Sequence, residues 1–203
     1  MSIDKCSTLQ VVRYKTAKLN IEKDQLASIL KEKLIEHKIT DIDKEPIEST
    51  NGWVDIKDNY ITKFDSILFD NFDEDSVRND LICMTMRIDT KKVSKHVLKK
   101  EVNKRINEMA DELNKSQITE LGNVVYEELL LSIKAEPKCF DVIWKIDQDI
   151  VYFCSTSKKA NEEFETLFNI TFGTKLECLI PFVNAERKFE SGDIENISPC
   201  EFK

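Results

Sequence analysis

The chain has 203 residues, a formal net charge of −8, 41% hydrophobic and 33% charged side chains. That length suits one large domain or two small ones, and that balance of apolar and charged residues excludes a disordered chain. No apolar run approaches the roughly 18 residues of a membrane span and the N-terminus lacks the apolar core of a signal peptide, so a cytoplasmic protein is expected.

In chain order, residues 6–15 read as a strand rich in β-branched and aromatic residues. Asn20 is placed to cap a helix whose first turn holds Glu22 and Asp24 and whose inner face is Leu26, Ile29, Leu30 and Leu34, fading near His37. Residues 40–51 are polar, contain Pro46 and are expected to form a loop before a short strand at 52–56. The stretch 65–80 carries Asp65, Asp70, Asp73, Glu74, Asp75 and Asp80 around an apolar Ile67-Leu68-Phe69 strand. It lacks the alternating ligands and central glycine of a calcium loop.

Leu81 to Ile88 alternate as a strand, with Cys83, Thr85 and Arg87 on one face and Ile82, Met84, Met86 and Ile88 on the other. A helix follows on which Leu98, Val102, Ile106, Met109 and Leu113 form one stripe, with His96, Lys100 and Lys104 opposite. Ser116 is placed to cap a second helix with Ile118, Leu121, Val125 and Leu129 inside, ending before Pro137. Phe140, Val142, Trp144 and Ile146 alternate on a strand, Asp147-Gln148-Asp149 turns the chain, and 150–154 return as a hairpin arm. Ser157 is placed to cap a last helix through Phe164, Leu167 and Phe168, closed by Gly173. Leu176, Cys178, Ile180 and Phe182 alternate on a final strand, and 184–203 are a polar tail.

From residue 81 this order is β-α-α-β-β-α-β, an α+β fold with helices packed on a mixed or antiparallel sheet. The expected divisions are 1–80, a β-α-β-β part; 81–183, an α+β domain with the long basic helix pair; and the tail at 184–203. The six cysteines include no C-x-x-C pair, and buried free thiols are expected. Neither histidine has ligand neighbours at metal spacing, and no glycine-rich phosphate loop, G-x-S-x-G or Cys with a His partner in sequence occurs. No cofactor, metal or catalytic centre is expected.

The charge is unevenly placed. Residues 87–105 hold eight basic side chains against Asp89 and Glu101, a local +6 that leaves the rest of the chain at −14. Such a field can hold a polyanion on one face and repel it elsewhere.

Several landmarks carry a resemblance to a known family: Arg13 on the first strand, Gly52-Trp53-Val54, Leu81-Ile82-Cys83, the Lys-rich lead into Val97-Leu98-Lys99, and the helix pair ending Leu129-Leu130. Trp144-Lys145-Ile146-Asp147, Ser157-Lys158-Lys159-Ala160-Asn161-Glu162, Gly173 and Leu179-Ile180-Pro181 complete it in order. Over about residues 6–182 the chain resembles the bacterial recombination-associated RdgC family, in a short form with no counterpart to that family's C-terminal third. The resemblance implies a homodimeric, nucleoid-associated protein that encloses double-stranded DNA without reading its sequence and so limits RecA-type filaments. Two departures bear on this: Lys134 and Lys138 flank Glu136 where the family has an arginine-rich turn, and Ser94 and His96 stand where it has prolines.

Lys91, Lys92, Lys95, Lys99, Lys100 and Lys104 are the expected phosphate contacts, with Lys134, Lys138, Lys158 and Lys159 as a second contribution. Lys158 and Lys159 gain from standing at a helix N-terminus. Two alternatives stand beside DNA binding. One is a protein-interaction or inhibitor module, in which the acids at 70–75 imitate nucleic acid. The other is a metal-dependent nuclease, for which Asp141 and Lys145, four apart on one strand, are the nearest pattern.

Overall fold

The computed structural model describes residues 10–17, 23–55, 81–109 and 113–179. Its elements in chain order are strand β1 (Val12–Lys15), helix α1 (Lys23–Glu36), strands β2 (Ser49–Val54) and β3 (Leu81–Thr90), helices α2 (Lys95–Glu108) and α3 (Lys115–Ser132), strands β4 (Glu136–Lys145) and β5 (Ile150–Phe153), helix α4 (Lys158–Phe172) and strand β6 (Glu177–Cys178). The strands hydrogen-bond in the order β2-β3-β4-β5-β1-β6. With four helices and an antiparallel sheet among the described residues, the protein is α+β. No helix among these residues is long and apolar enough to cross a membrane.

The chain divides into two units, each drawing on stretches from before and after residue 80. One gathers residues 10–17, 23–27, 81–83 and 141–179; the other gathers 28–55, 84–109 and 113–140. In the first unit, alternation puts Tyr14, Val142, Trp144, Val151 and Phe153 on one sheet face, and all five are buried. The apolar stripe of α4 lies against them. Phe164 stacks on Phe153 with centroids 4.3 Å apart and planes 3° apart, and Phe168 meets Trp144 edge-on at 5.1 Å. The β1 register sets Arg13 opposite Tyr152 and Lys15 opposite Ile150, while β4 sets Ile143 opposite Tyr152 and Lys145 opposite Ile150. These six side chains therefore share the face that α4 does not cover.

Between β4 and β5 the chain turns through a 3₁₀ segment, Ile146–Gln148, that takes in Ile146 rather than leaving it on the strand. Asp149 follows in the left-handed region at φ 52°, a conformation that Asp tolerates better than most residues. Gly173 ends α4 at φ 68° and donates its N–H to Asn169 O, as its position after the last stripe residue predicts. Ser157 occupies the N-cap position of α4 without a side-chain cap bond. Asn161 Nδ2 instead donates to Ser155 O and Ser157 O, while its Oδ1 accepts from Tyr14 Oη at 2.7 Å.

In the second unit, β2 and β3 pair antiparallel from Ser49–Thr90 to Val54–Thr85. The strand β2 starts inside the expected 40–51 loop, because Ser49 to Asn51 find ladder partners on β3. Gly52 permits a close approach: a Cβ there would stand 2.5 Å from Ile39 Cα. Ile39 N and Trp53 O bond at 3.0 Å, and Trp53 N bonds His37 O at 3.0 Å. The helix α3 is capped by Asn114, not Ser116, since Asn114 Oδ1 accepts from Gln117 N and Gln117 Oε1 accepts from Asn114 N. The stripe expected on α2 is only half-buried, and Met109 falls just past the helix end, exposed. The described cysteines 83, 139, 154 and 178 form no disulfide with one another and are half-buried rather than buried. The Asn20 cap, the acidic stretch at 65–80, the end of the expected last strand and the polar tail lie outside the described residues.

Candidate nucleic-acid interface

The basic segment separates by role once side chains are followed from the backbone up. On β3, residues two apart point the same way, so Arg87 and Asp89 lie side by side. Arg87 Nε donates to Asp89 Oδ1 at 2.6 Å and Nη2 to Oδ2 at 2.9 Å, a bidentate pair almost wholly out of solvent. Both charges are internal.

Lys91, expected to touch phosphate, does not qualify. It is 4% exposed. Its Nζ donates to Asp43 O at 2.9 Å, Glu45 O at 3.0 Å and Leu130 O at 2.9 Å, which occupies all three ammonium hydrogens. Leu130 O belongs to the last turn of α3, where carbonyls lack helical partners and the helix dipole favours a cation. Lys91 thus joins the 43–45 turn to the C-terminus of α3. Asp43 Oδ1 adds to that junction by accepting Ala135 N at 2.8 Å.

Arg105 reaches from α2 to α3. Its guanidinium donates to the Glu128 carboxylate and lies 3.8 Å from Glu101. The hydrogen bond from Arg105 holds the Glu128 carboxyl below its ordinary range, and the bond to Glu128 raises Arg105 in turn.

Five lysines remain: Lys92, Lys95, Lys99, Lys100 and Lys104, all exposed. None has an ion-pair partner among the described residues. Lys95 and Lys99 stand one turn apart, as do Lys100 and Lys104, and Lys92 lies just ahead of the first turn. With no acidic residue in that turn and no side-chain cap at Ser94, the N-terminus of α2 adds its own partial positive charge. The arrangement can hold a row of phosphates on point charges; it presents no planar fork for reading bases.

The second group of expected residues is spread. Lys134 and Lys138 are exposed at the α3–β4 junction, in the same unit as α2. Lys158 and Lys159 open α4 in the other unit, exposed but each within 4 Å of a carboxylate four residues on, Glu162 at 3.8 Å and Glu163 at 3.6 Å. Asp141 shares the outer sheet face with Lys145 but is buried, and no three His, Cys, Asp or Glu side chains gather as metal ligands among the described residues.

Reading the sequence missed a further group. Strand register brings Arg13 and Lys145, far apart in the chain, around Tyr152 on the face opposite α4. The signal was present as alternation within each strand, but only the pairing order makes neighbours of them. No family model matches the chain, and no curated protein matches it in sequence.

Proposed function

We propose that this protein binds nucleic acid without reading its sequence, holding phosphates of a duplex on Lys92, Lys95, Lys99, Lys100 and Lys104. One observation supports this most: five exposed lysines without ion-pair partners among the described residues lie on and beside one helix, in a chain whose net charge is −8. On this reading the chain is a relative of the RdgC family, acts as a homodimer in the nucleoid and restrains RecA-type filaments by occupying DNA. It needs no catalytic group.

A variant carrying glutamate at positions 95, 99, 100 and 104 tests the reading by fluorescence anisotropy with a labelled random-sequence duplex. Those side chains are exposed, so the variant is expected to fold and to lose duplex binding at low salt. Unchanged affinity would exclude α2 as the contact.

A second reading, a protein partner, is favoured by a different feature of the same helix pair. The helix α2 contains no buried residue, and Val97 on it, with Val124 and Leu131 on α3, is exposed at 48%, 45% and 48%. Binding of a recombinase by a chain that ignores DNA would favour that reading.

A further inference from the structure

The sheet face turned away from α4 carries an unusual mixture for a strand surface. In one cross-strand row stand Arg13, Tyr152 and Ile143; in the next stand Lys15, Ile150 and Lys145. The ring of Tyr152 is half-exposed at the centre, with Lys145 Nζ 5.7 Å from its centroid. Arg13 is exposed. Lys15 is already committed, donating to Gln148 O at 2.6 Å with Asp149 at 3.6 Å, and Glu177 of β6 sits opposite it. Arg13 and Lys145 have no ion-pair partner among the described residues, which leaves two cations to meet a ligand, one on each side of an aromatic ring.

We infer that this face is a stacking platform for single-stranded nucleic acid: a base lies on Tyr152 while Arg13 and Lys145 meet the phosphates on either side. Each part of the ligand has its complement. A base has a flat π-face for the tyrosine ring whatever its identity, and aromatic rings set among basic side chains on a sheet hold single strands without sequence preference. A duplex keeps its bases stacked inside and can offer this face only its backbone. A base taking the ring displaces the Lys145 ammonium, whose four-carbon stem lets it swing to the adjoining phosphate. The inference rests on the nucleic-acid reading above and assigns it a second, strand-selective site in the unit that does not contain α2.

The test measures binding of the full chain to labelled oligothymidine and oligouridine of about 12 nucleotides, within the usual span of such a surface, and to a duplex of equal length. Wild type, Tyr152→Leu, Tyr152→Phe and Arg13→Ala are compared. Tyr152→Leu is expected to weaken single-strand binding about tenfold or more, Tyr152→Phe to retain it, and duplex affinity to be the same in all four. Should Tyr152→Leu misfold by circular dichroism, photo-crosslinking of 5-iodouracil oligonucleotide to wild type reads the same contact; the adduct is expected on Tyr152. Equal single-strand affinity of wild type and Tyr152→Leu, an adduct elsewhere, or duplex binding with no single-strand binding would overturn the platform alone. Absence of binding to all three probes would overturn the nucleic-acid reading and the platform with it.

Discussion

Lys91 and Lys99 are the same residue type eight positions apart, and their surroundings give them opposite work. Lys91 sits at the end of a strand whose continuation is walled by the 43–45 turn and the last carbonyls of α3, and its ammonium replaces water with three carbonyl oxygens. Lys99 projects from a helix face with no ion-pair partner among the described residues. Replacing Lys91 with Met keeps the stem but takes the ammonium donor away from three carbonyls, of which Leu130 O still accepts from Ile133 N. We expect Lys91→Met to lose about 3 kcal/mol of stability in urea unfolding while the folded fraction binds duplex as before. Lys99→Ala is expected to change stability by less than about 0.5 kcal/mol and to lower the salt slope of duplex binding by about 1. A stable Lys91→Met protein that no longer binds DNA would reverse this assignment. Nothing in the local sequence distinguishes the two lysines, because the acceptors of Lys91 come from residues distant along the chain.

At the scale of elements, periodicity was informative wherever one face is fully buried. The alternation of Val142 and Trp144, and the Phe164, Leu167 and Phe168 stripe, mark β4 and α4 because each side chain meets an aromatic or aliphatic layer. The helix pair was harder to delimit. Its seam is half-buried, so Met109 reads as a stripe residue yet falls beyond α2, and a complete capping box at Asn114 and Gln117 outweighs the serine two residues on. The outer sheet face was illegible because its members come from three strands whose register no single segment encodes. Two expectations follow from the packing. Gly52→Ala must push a Cβ into the backbone of Ile39 and should cost about 2 kcal/mol or more in thermal or urea unfolding; a melt unchanged from wild type would show that the strand can move aside. Burial pushes the Tyr14 phenol above its ordinary value, with Glu165 adding to the shift. The unfolded chain therefore releases that proton first. The stabilisation is present below about pH 10 and declines by about 1.4 kcal/mol per pH unit above it. A Tyr14→Phe variant is expected to show a shallower alkaline loss in pH-dependent unfolding, and an identical slope would contradict the burial.

For the whole molecule the governing fact is a sign difference between net and local charge. A chain of −8 repels polyanions at long range, so the proposed binding must come from close contact with the few cations that have no ion-pair partner among the described residues. Counting the eight basic residues of 87–105 overstates that contact, since Arg87 and Lys91 are internal and Arg105 is bound to Glu128. The five exposed lysines set the scale. The most direct measurement is duplex affinity by fluorescence anisotropy across a series of salt concentrations. With four or five phosphates neutralised, log K is predicted to fall linearly with log salt at a slope of about −4. An affinity independent of salt, or no binding even at low salt, would contradict the claim that α2 grips the phosphate backbone.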